Sequence, residues 1–533
     1  MAQDKNTDQA YRLETVVSGL TKDQAEAMVN EFAKAKNQIA PEAQATGKIM
    51  AANQRRDWLG PIRRGLAKKD PFTLWRIVLV FVICWLPYVI VTFPGNLAGD
   101  SGTGISDFLG YTHETPNNPW FQNMFMAGFY SFGKWLGNPD IGIFIYCILQ
   151  TALYIAVLSL VISELGRRSR VVGYTLLALY CLVPVFPMYA FQMGKDSNFA
   201  LAIMVFVVYA LRELKDSGFW QNKRSAGMIM LMIVLMGLFR NSAGWVPGIA
   251  FLLYAVFAVR TKPVIKMSAA VLAVLVATAV LPGAFGVPKV ETRENMSMPL
   301  QTMAYYATEH PYDMTDEDKA IISSVIDYDT MLSRYDRNIA DNIKNKAKFN
   351  EKTTGPFLQL WFRKFLKHPL TMINGMWLSN AKYIIPDSYG KIKPHVVVGY
   401  WLSDYFHEKL GLYNRNPHLK AIGDYVNSWL KAPVVDLFIK IGLFTILLVV
   451  LVILAFAMKM PRYLFCLSPL LMVLIGCLLS PVNGYYRYAF PMIASVPIVA
   501  ADMGFVIRDR IKSRSPRPAP KPRKKKQPKL QAA

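Results

Sequence analysis

Residues 73–93, TLWRIVLVFVICWLPYVIVTF, run directly into residues 94–119, PGNLAGDSGTGISDFLGYTHETPNNP. The first piece carries a single charge, Arg76, and matches the roughly 20 apolar residues that a helix needs to cross a bilayer. Pro87 within it is a tolerated kink. The second piece brings acids, a histidine, glycines and prolines where a further helix would be expected. Asp100 stands at its centre, just past the end of the membrane helix. At such a water–lipid boundary, burial and neighbouring cations tune the basicity of a carboxylate. Taken alone, the loop fits equally well a solvated turn with a helix-capping Asp, so the remainder of the chain must decide.

The 533 residues are 53% hydrophobic and carry a formal net charge of +24. Long uncharged runs recur throughout, which predicts an all-α polytopic membrane protein. All five cysteines (Cys84, Cys147, Cys181, Cys466 and Cys477) fall in apolar runs, against a disulfide framework or a cysteine zinc site. The first residues, MAQDKNTDQAYRLE, are polar, so the first apolar helix is expected to act as the targeting signal. Positive charge gathers at Arg55, Arg56, Arg63, Arg64, Lys68 and Lys69, and again in RKKKQPK from Arg523. Clusters of this kind beside membrane helices mark the cytoplasmic face and touch anionic lipid. No nucleic-acid partner is expected.

The basic residues then set the path of the chain. LTKDQAEAMVNEFAKAKNQ reads as a short amphipathic helix capped by Thr21 and Gln24. After the span at Thr73–Phe93, Trp120–Trp135 is short and interrupted by Gln122, Asn123, Gly128 and Lys134, which suits a helix lying in the interface. With that helix flat, Ile141–Leu165 is span two and Arg167, Arg168 and Arg170 fall inside. Spans follow at Val171–Met188, Asn198–Leu211, Ala226–Phe239, Gly244–Val259 and Met267–Phe285. Three more follow a long outer segment, at Val434–Met458, Tyr463–Leu479 and Ala489–Ile507. About ten spans with both termini cytoplasmic satisfy the positive-inside rule at every loop.

The expected parts are a cytoplasmic segment, 1–70, and a membrane module, 71–285, with its first outer loop at 94–138. An extracytoplasmic segment, 286–432, is too long for a connector. The last helices, 433–507, and a basic cytoplasmic tail, 508–533, complete the chain. Within the outer segment, YDMTDEDKAIISSVIDYD reads as an acidic surface helix. Phe357–Pro386 mixes apolar and basic residues, as helices lying on the outer leaflet do. No Walker loop or dinucleotide fingerprint is present, which disfavours an ATP-driven pump.

This topology collects the unusual polar residues at one face. Asp100, His113 and Glu114 lie in the first outer loop, and Lys195 and Asp196 precede span four. Arg240 and Asn241 follow span five, and Tyr485, Tyr486 and Arg487 precede the last span. Outer cations run against the topological bias. Local ion pairing, such as Lys195 with Asp196, accounts for any one of them. Three cations ending three separate outer loops point instead to a shared anionic ligand, for which the arginine fork and lysine ammonium are suited. The six histidines lack ligand spacing.

FPGNLAGDS, HETPNNPW, FQMGKDSNFA, LFRNSAG, MPLQTMA, KHPLTMINGMWLSNAKYIIPD and NGYYRYAFP, in this order, resemble the C-type glycosyltransferase superfamily (GT-C), and within it a little-characterised Gram-positive branch. The resemblance covers about residues 73–505. It implies ten or so transmembrane helices with interfacial helices, and a polyprenyl-phosphate sugar as donor. It implies Asp100 as the general base and places Lys195–Asp196 at the second outer loop, where Asp196 is the second candidate acid. Arg240, Asn241, Tyr485, Tyr486, Arg487, His113 and Glu114 would line the substrate site. The chain departs from the pattern at His113, which precedes Glu114 rather than a proline. The expected function is sugar transfer to a cell-envelope acceptor at the outer face of the plasma membrane. No cofactor is named, and the sequence leaves open whether a divalent cation assists. A transporter or flippase of lipid-linked sugars is the alternative, disfavoured because the charges sit at one face and no repeat is visible. A non-catalytic envelope scaffold is the third reading.

Overall fold

A computed structural model of the protein describes residues 70–112, 118–240, 269–271, 273–274, 283–284, 291–386 and 396–514. The amphipathic segment at Thr21, the tail beyond 514 and the spans expected at Gly244–Val259 and Met267–Phe285 lie outside the described residues, apart from a few positions of the last. The first half comprises α1 (Leu74–Val91), β1 (Asn96–Leu97), α2 (Gly99–Phe108), α3 (Trp120–Trp135), α4 (Pro139–Arg168), α5 (Arg170–Leu182), α6 (Val185–Ala190), β2 (Gln192–Met193), α7 (Lys195–Lys215) and α8 (Lys223–Phe239). The segment after the undescribed stretch builds α9 (Ser297–Glu309), α10 (Asp316–Ser323), α11 (Tyr328–Ser333), α12 (Asp341–Lys344), α13 (Glu351–Lys367), α14 (Pro369–Ile384), α15 (Asp404–Leu410) and α16 (Leu419–Leu430). The chain then forms α17 (Pro433–Leu437), α18 (Ile441–Ala457), α19 (Tyr463–Leu478) and α20 (Tyr486–Arg514).

The protein is an all-α membrane protein. Among the described residues four helices, α1, α4, α7 and α20, are long and apolar enough to cross a bilayer, and α5, α18 and α19 are shorter apolar helices. Their outward faces explain why water is the wrong solvent. In α1, Ile77, Phe81 and Trp85 are buried, yet Leu79, Val82, Ile83, Leu86 and Ile90 are exposed. A helix that is apolar on both faces needs lipid against one of them. Two expected spans are broken. The third divides at Val183–Pro184 into α5 and α6, and the eighth into α17 and α18. Proline's missing donor accounts for the first break.

The bundle is knitted by α7 and α20, which pack on each other and on α19. Tyr154 of α4 donates to the Ser197 carbonyl at 2.6 Å, and Tyr180 of α5 donates to the Ala494 carbonyl at 2.8 Å. At one end, Asp502 receives Lys215 at 2.5 Å and the Tyr463 hydroxyl at 2.9 Å. Glu213 there takes Arg462 at 3.1 Å. The C-terminal ends of α4 and α7 and the start of α19 therefore gather at this end. Lys195 begins α7 at the other, about 30 Å away at 1.5 Å per residue.

Helix α3 has the bounds read from the sequence, Trp120–Trp135. Its contacts fall on the first two turns of α4. A Cβ on Gly133 would strike Gly142, and one on Gly142 would land on the Phe129 carbonyl. Phe129 and Phe125 meet the Tyr146 ring, and Gln122 donates to the Tyr146 hydroxyl at 3.2 Å. Helix α3 therefore packs closely, backbone against backbone, on the start of α4.

The acidic stretch of the outer segment differs from expectation. It is not one surface helix but a 3-10 turn, then α10, then the start of α11. Thr315 and Asp318 form a reciprocal capping box, which is what stops the chain before α10. Ile322, Val325 and Ile326 turn into a core with Leu300, Met303, Tyr306, Phe357, Leu360 and Met372. Lys364 of α13 bridges Asp318 at 2.7 Å and Asp313 at 3.1 Å. Asp313 and Asp318 are thus paired with the basic face of α13, while Asp316, Glu317, Asp327 and Asp329 stay exposed.

Candidate active site

Three chain segments distant in sequence meet immediately before Asp100. β1 pairs in parallel with β2, Asn96 against Gln192 and Leu97 against Met193. On its other side, the Leu97 amide donates to the Gly399 carbonyl at 3.0 Å and Trp401 donates back to Leu97 at 2.9 Å. The Asn96 side chain closes both edges, donating to the Phe191 carbonyl and accepting from the Gly399 amide at 2.7 Å. Ser101 donates to the Met193 carbonyl at 2.6 Å, which fixes the first turn of α2 against the start of α7. Gly102 lies where a Cβ would meet Leu402 at 2.6 Å, so the α2 backbone lies close against that segment. Asp100 is therefore carried on a held turn.

Around it the cations converge. Asp100 Oδ2 receives Arg487 Nη1 at 2.9 Å and Lys195 Nζ at 3.2 Å. Lys195 also donates to Asn118 Oδ1 at 2.6 Å, and Asn118 Nδ2 donates to the Asp100 carbonyl at 3.3 Å. Asp196 Oδ1 accepts from Arg240 Nη1 at 3.1 Å, with Arg487 Nε 3.8 Å from Oδ2. The guanidinium of Arg240 lies 4.9 Å from the Tyr488 ring centre, and that of Arg487 lies 4.5 Å from Tyr485 and 5.1 Å from Tyr488. Cation–π stacking of this kind holds the forks flat against the aromatic wall.

The neighbours Lys195 and Asp196 do not pair with each other in this network; each reaches a different distant partner. The Lys195 ammonium, and with it the Arg487 guanidinium, outweigh the opposing effect of burial and hold the Asp100 carboxyl well below the usual carboxylate range. One turn into the bundle sits a neutral buried triad. Asn198 donates to Gln122 at 3.0 Å and to the Tyr146 hydroxyl at 2.5 Å.

Of the sequence candidates, Asp100, Lys195, Asp196, Arg240, Tyr485 and Arg487 stand together. Tyr486 faces Tyr189, ring centres 6.1 Å apart. His113, Glu114 and Asn241 lie outside the described residues. Sequence reading missed Asn118, Tyr488, Gln122 and Asn198. Polar side chains within or beside apolar helices were the available signal, since such groups are rare in membranes unless they are used. Tyr383 of α14 also enters, accepting from the Tyr485 amide at 3.0 Å and donating to the Val482 carbonyl at 2.8 Å. Helix α14 thereby braces the turn that presents Arg487. Among the described residues no three His, Cys, Asp or Glu side chains converge as metal ligands.

Residues 110–521 match a family described as a family of unknown function, DUF6020. The chain belongs to DUF6020. The match takes in Lys195, Asp196, Arg240 and Arg487, and begins just after Asp100. No curated protein and no solved structure matches the chain.

An open apolar surface runs along one face of α3. The hollow on it has a volume of about 310 Å³ and is lined by Met124, Phe125, Gly128, Phe129 and Phe132 of α3. Phe125 at its wall lies 6.4 Å from the Phe239 ring, and Arg240 follows Phe239 in the chain. In this DUF6020 protein a cluster of paired acids and cations therefore stands near the start of a helix with an open apolar face.

Proposed function

We propose that this protein transfers a sugar from a polyprenyl-phosphate donor to an acceptor hydroxyl at the outer face of the plasma membrane. The observation that carries the reading is the meeting of one carboxylate, Asp100, with Lys195 and Arg487, delivered from three separate chain segments near the start of α3, a helix with an open apolar face. In the proposed step, Asp100 takes the proton of the acceptor hydroxyl while its oxygen bonds to the anomeric carbon. The bond from that carbon to the phosphate breaks, and its electron pair leaves with the phosphate. Lys195, Arg487 and Arg240 offset the charge that grows there, which is how fixed cations lower a barrier. Attack and departure on opposite faces invert configuration.

The positive-inside count of the loops supports an interfacial α3, and hence an outward-facing site with both termini cytoplasmic. Cysteines placed at Lys134 and Asp316 should then label from the same side, and labelling from opposite sides would reverse this orientation. A transporter site would be expected near the midplane on broken helices. Here the cations sit at helix ends, which supports the enzyme. The deciding experiment is Asp100→Asn in reconstituted membranes with a polyprenyl-phosphate sugar. The variant should insert and bind donor but lose transfer by roughly 10²-fold or more, the typical contribution of a general base. Wild-type transfer by this variant would remove Asp100 from the chemistry.

A further inference from the structure

Resting on that reading, the geometry of the cluster raises a question about how Asp100 becomes a base at all. Its carboxylate is already occupied by the two cations that the donor's phosphate requires, and both converge on the same oxygen, Oδ2. We propose that Asp100 is the internal occupant of the phosphate seat: the headgroup displaces its carboxylate from Lys195 and Arg487, and only then can Asp100 accept a proton.

Four features of the site carry this. Exposure runs outward from the cations to the acid, at 17% for Lys195, 16% for Arg487 and 39% for Asp100. An anion arriving from outside meets the carboxylate before it meets the charges behind. Second, a phosphate and Asp100 cannot both keep the cations without placing two anions side by side, which disfavours the joint state. Third, the cations do not leave with the acid. Asn118 continues to hold Lys195, and the Tyr485 and Tyr488 rings continue to hold Arg487. Fourth, Asp196 has its own partner in Arg240, at 3.1 Å, so releasing one acid need not release the other.

The consequence is an ordered enzyme. A carboxylate held by two cations is a poor base, and one facing a bound phosphate is a better one, because losing the cations and gaining a nearby anion both raise its proton affinity. Acceptor deprotonation would then wait on donor binding, and water would not be activated in the empty site.

The test is a binding measurement without sugar transfer. The full-length protein in nanodiscs is titrated with polyprenyl monophosphate, which carries no sugar, and separately with inorganic phosphate. Removing the competing carboxylate in Asp100→Asn should tighten both ligands by about tenfold or more, the scale of one charge-assisted contact. Asp100→Ser should show the same gain and serves if the asparagine protein misfolds. Equal or weaker binding by both variants would overturn the proposal. So would a gain with the lipid alone, because that would locate the effect on the apolar face of α3. The result is independent of the transferase reading. A gain in affinity in the variants while the wild-type protein transfers no sugar would leave the competition standing and remove the enzyme, whereas wild-type transfer without the gain in the variants would do the reverse.

Discussion

Arg487→Ala is the most informative perturbation outside Asp100 itself. The guanidinium makes one close ion pair, to Asp100 at 2.9 Å, one longer approach to Asp196 at 3.8 Å, and two ring contacts. Its loss strands neither acid, since Asp100 keeps Lys195 and Asp196 keeps Arg240. The stability cost is therefore modest. Each ring contact is worth roughly 0.5–1 kcal/mol, and a pair to a carboxylate as exposed as Asp100 adds at most about 1 kcal/mol. A total near ~2 kcal/mol leaves the bundle folded. Turnover should suffer more. A charge-assisted contact to the leaving phosphate is worth about 1.5–3 kcal/mol, which is on the order of 10–100-fold in rate. Because charge grows on the phosphate in the transition state, the loss belongs in kcat and not only in KM. Arg487→Lys keeps the charge but loses the fork and the stacking, and should recover part of the rate. The assay is steady-state transfer in proteoliposomes alongside thermal unfolding in detergent. An alanine variant with wild-type kcat and a lowered unfolding temperature would refute the reasoning and make Arg487 a structural brace.

Two further outcomes follow from the packing. Gly142→Ala places a methyl group on the Phe129 carbonyl, where neither backbone can yield without moving α3 from α4. It should cost toward the upper end of the roughly 1–3 kcal/mol typical of overpacking, read as a lowered unfolding temperature, and a variant as stable as wild type would refute the close packing. Acid should loosen the helices around α10 and α13 first. Burial opposes ionisation of Asp313 and Asp318, yet Lys367, Tyr306 and Lys364 around the first, and Lys364 and Thr315 around the second, hold both carboxyls below their ordinary range. Groups depressed in the native state stabilise it above the unfolded carboxylate value of about 3.9, and that stability is lost as pH falls below it. Amide exchange in residues 310–367 should therefore accelerate below about pH 4 while α7 stays protected, and uniform exchange across both would refute this.

The apolar helices were legible because crossing a bilayer is a local demand on length and apolarity. The runs read at Ile141–Leu165, Asn198–Leu211, Ala226–Phe239 and Tyr463–Leu479 each fall within one helix or nearly so. The bounds of α3 were legible for the same reason, framed by Pro119 before and Gly137 after. That Asp100, Lys195, Arg240 and Arg487 lie at one end followed from counting helices and basic residues. What the sequence could not say is who pairs with whom. Lys195 and Asp196 are adjacent, and adjacent residues on a helix point about 100° apart. Each therefore faces a different neighbour, and only the packing of α2, α8 and α20 around α7 chose Asp100 for one and Arg240 for the other. The same rotation decides between Tyr486, turned to Tyr189, and Tyr488, turned to the arginines. The ladder at Asn96 and Leu97 depends on residues 192–193 and 399–401, and two-residue strands carry no periodicity to read. Pairings across hundreds of residues are set by the tertiary fold, because the short loops that make them contain no local preference strong enough to announce a partner.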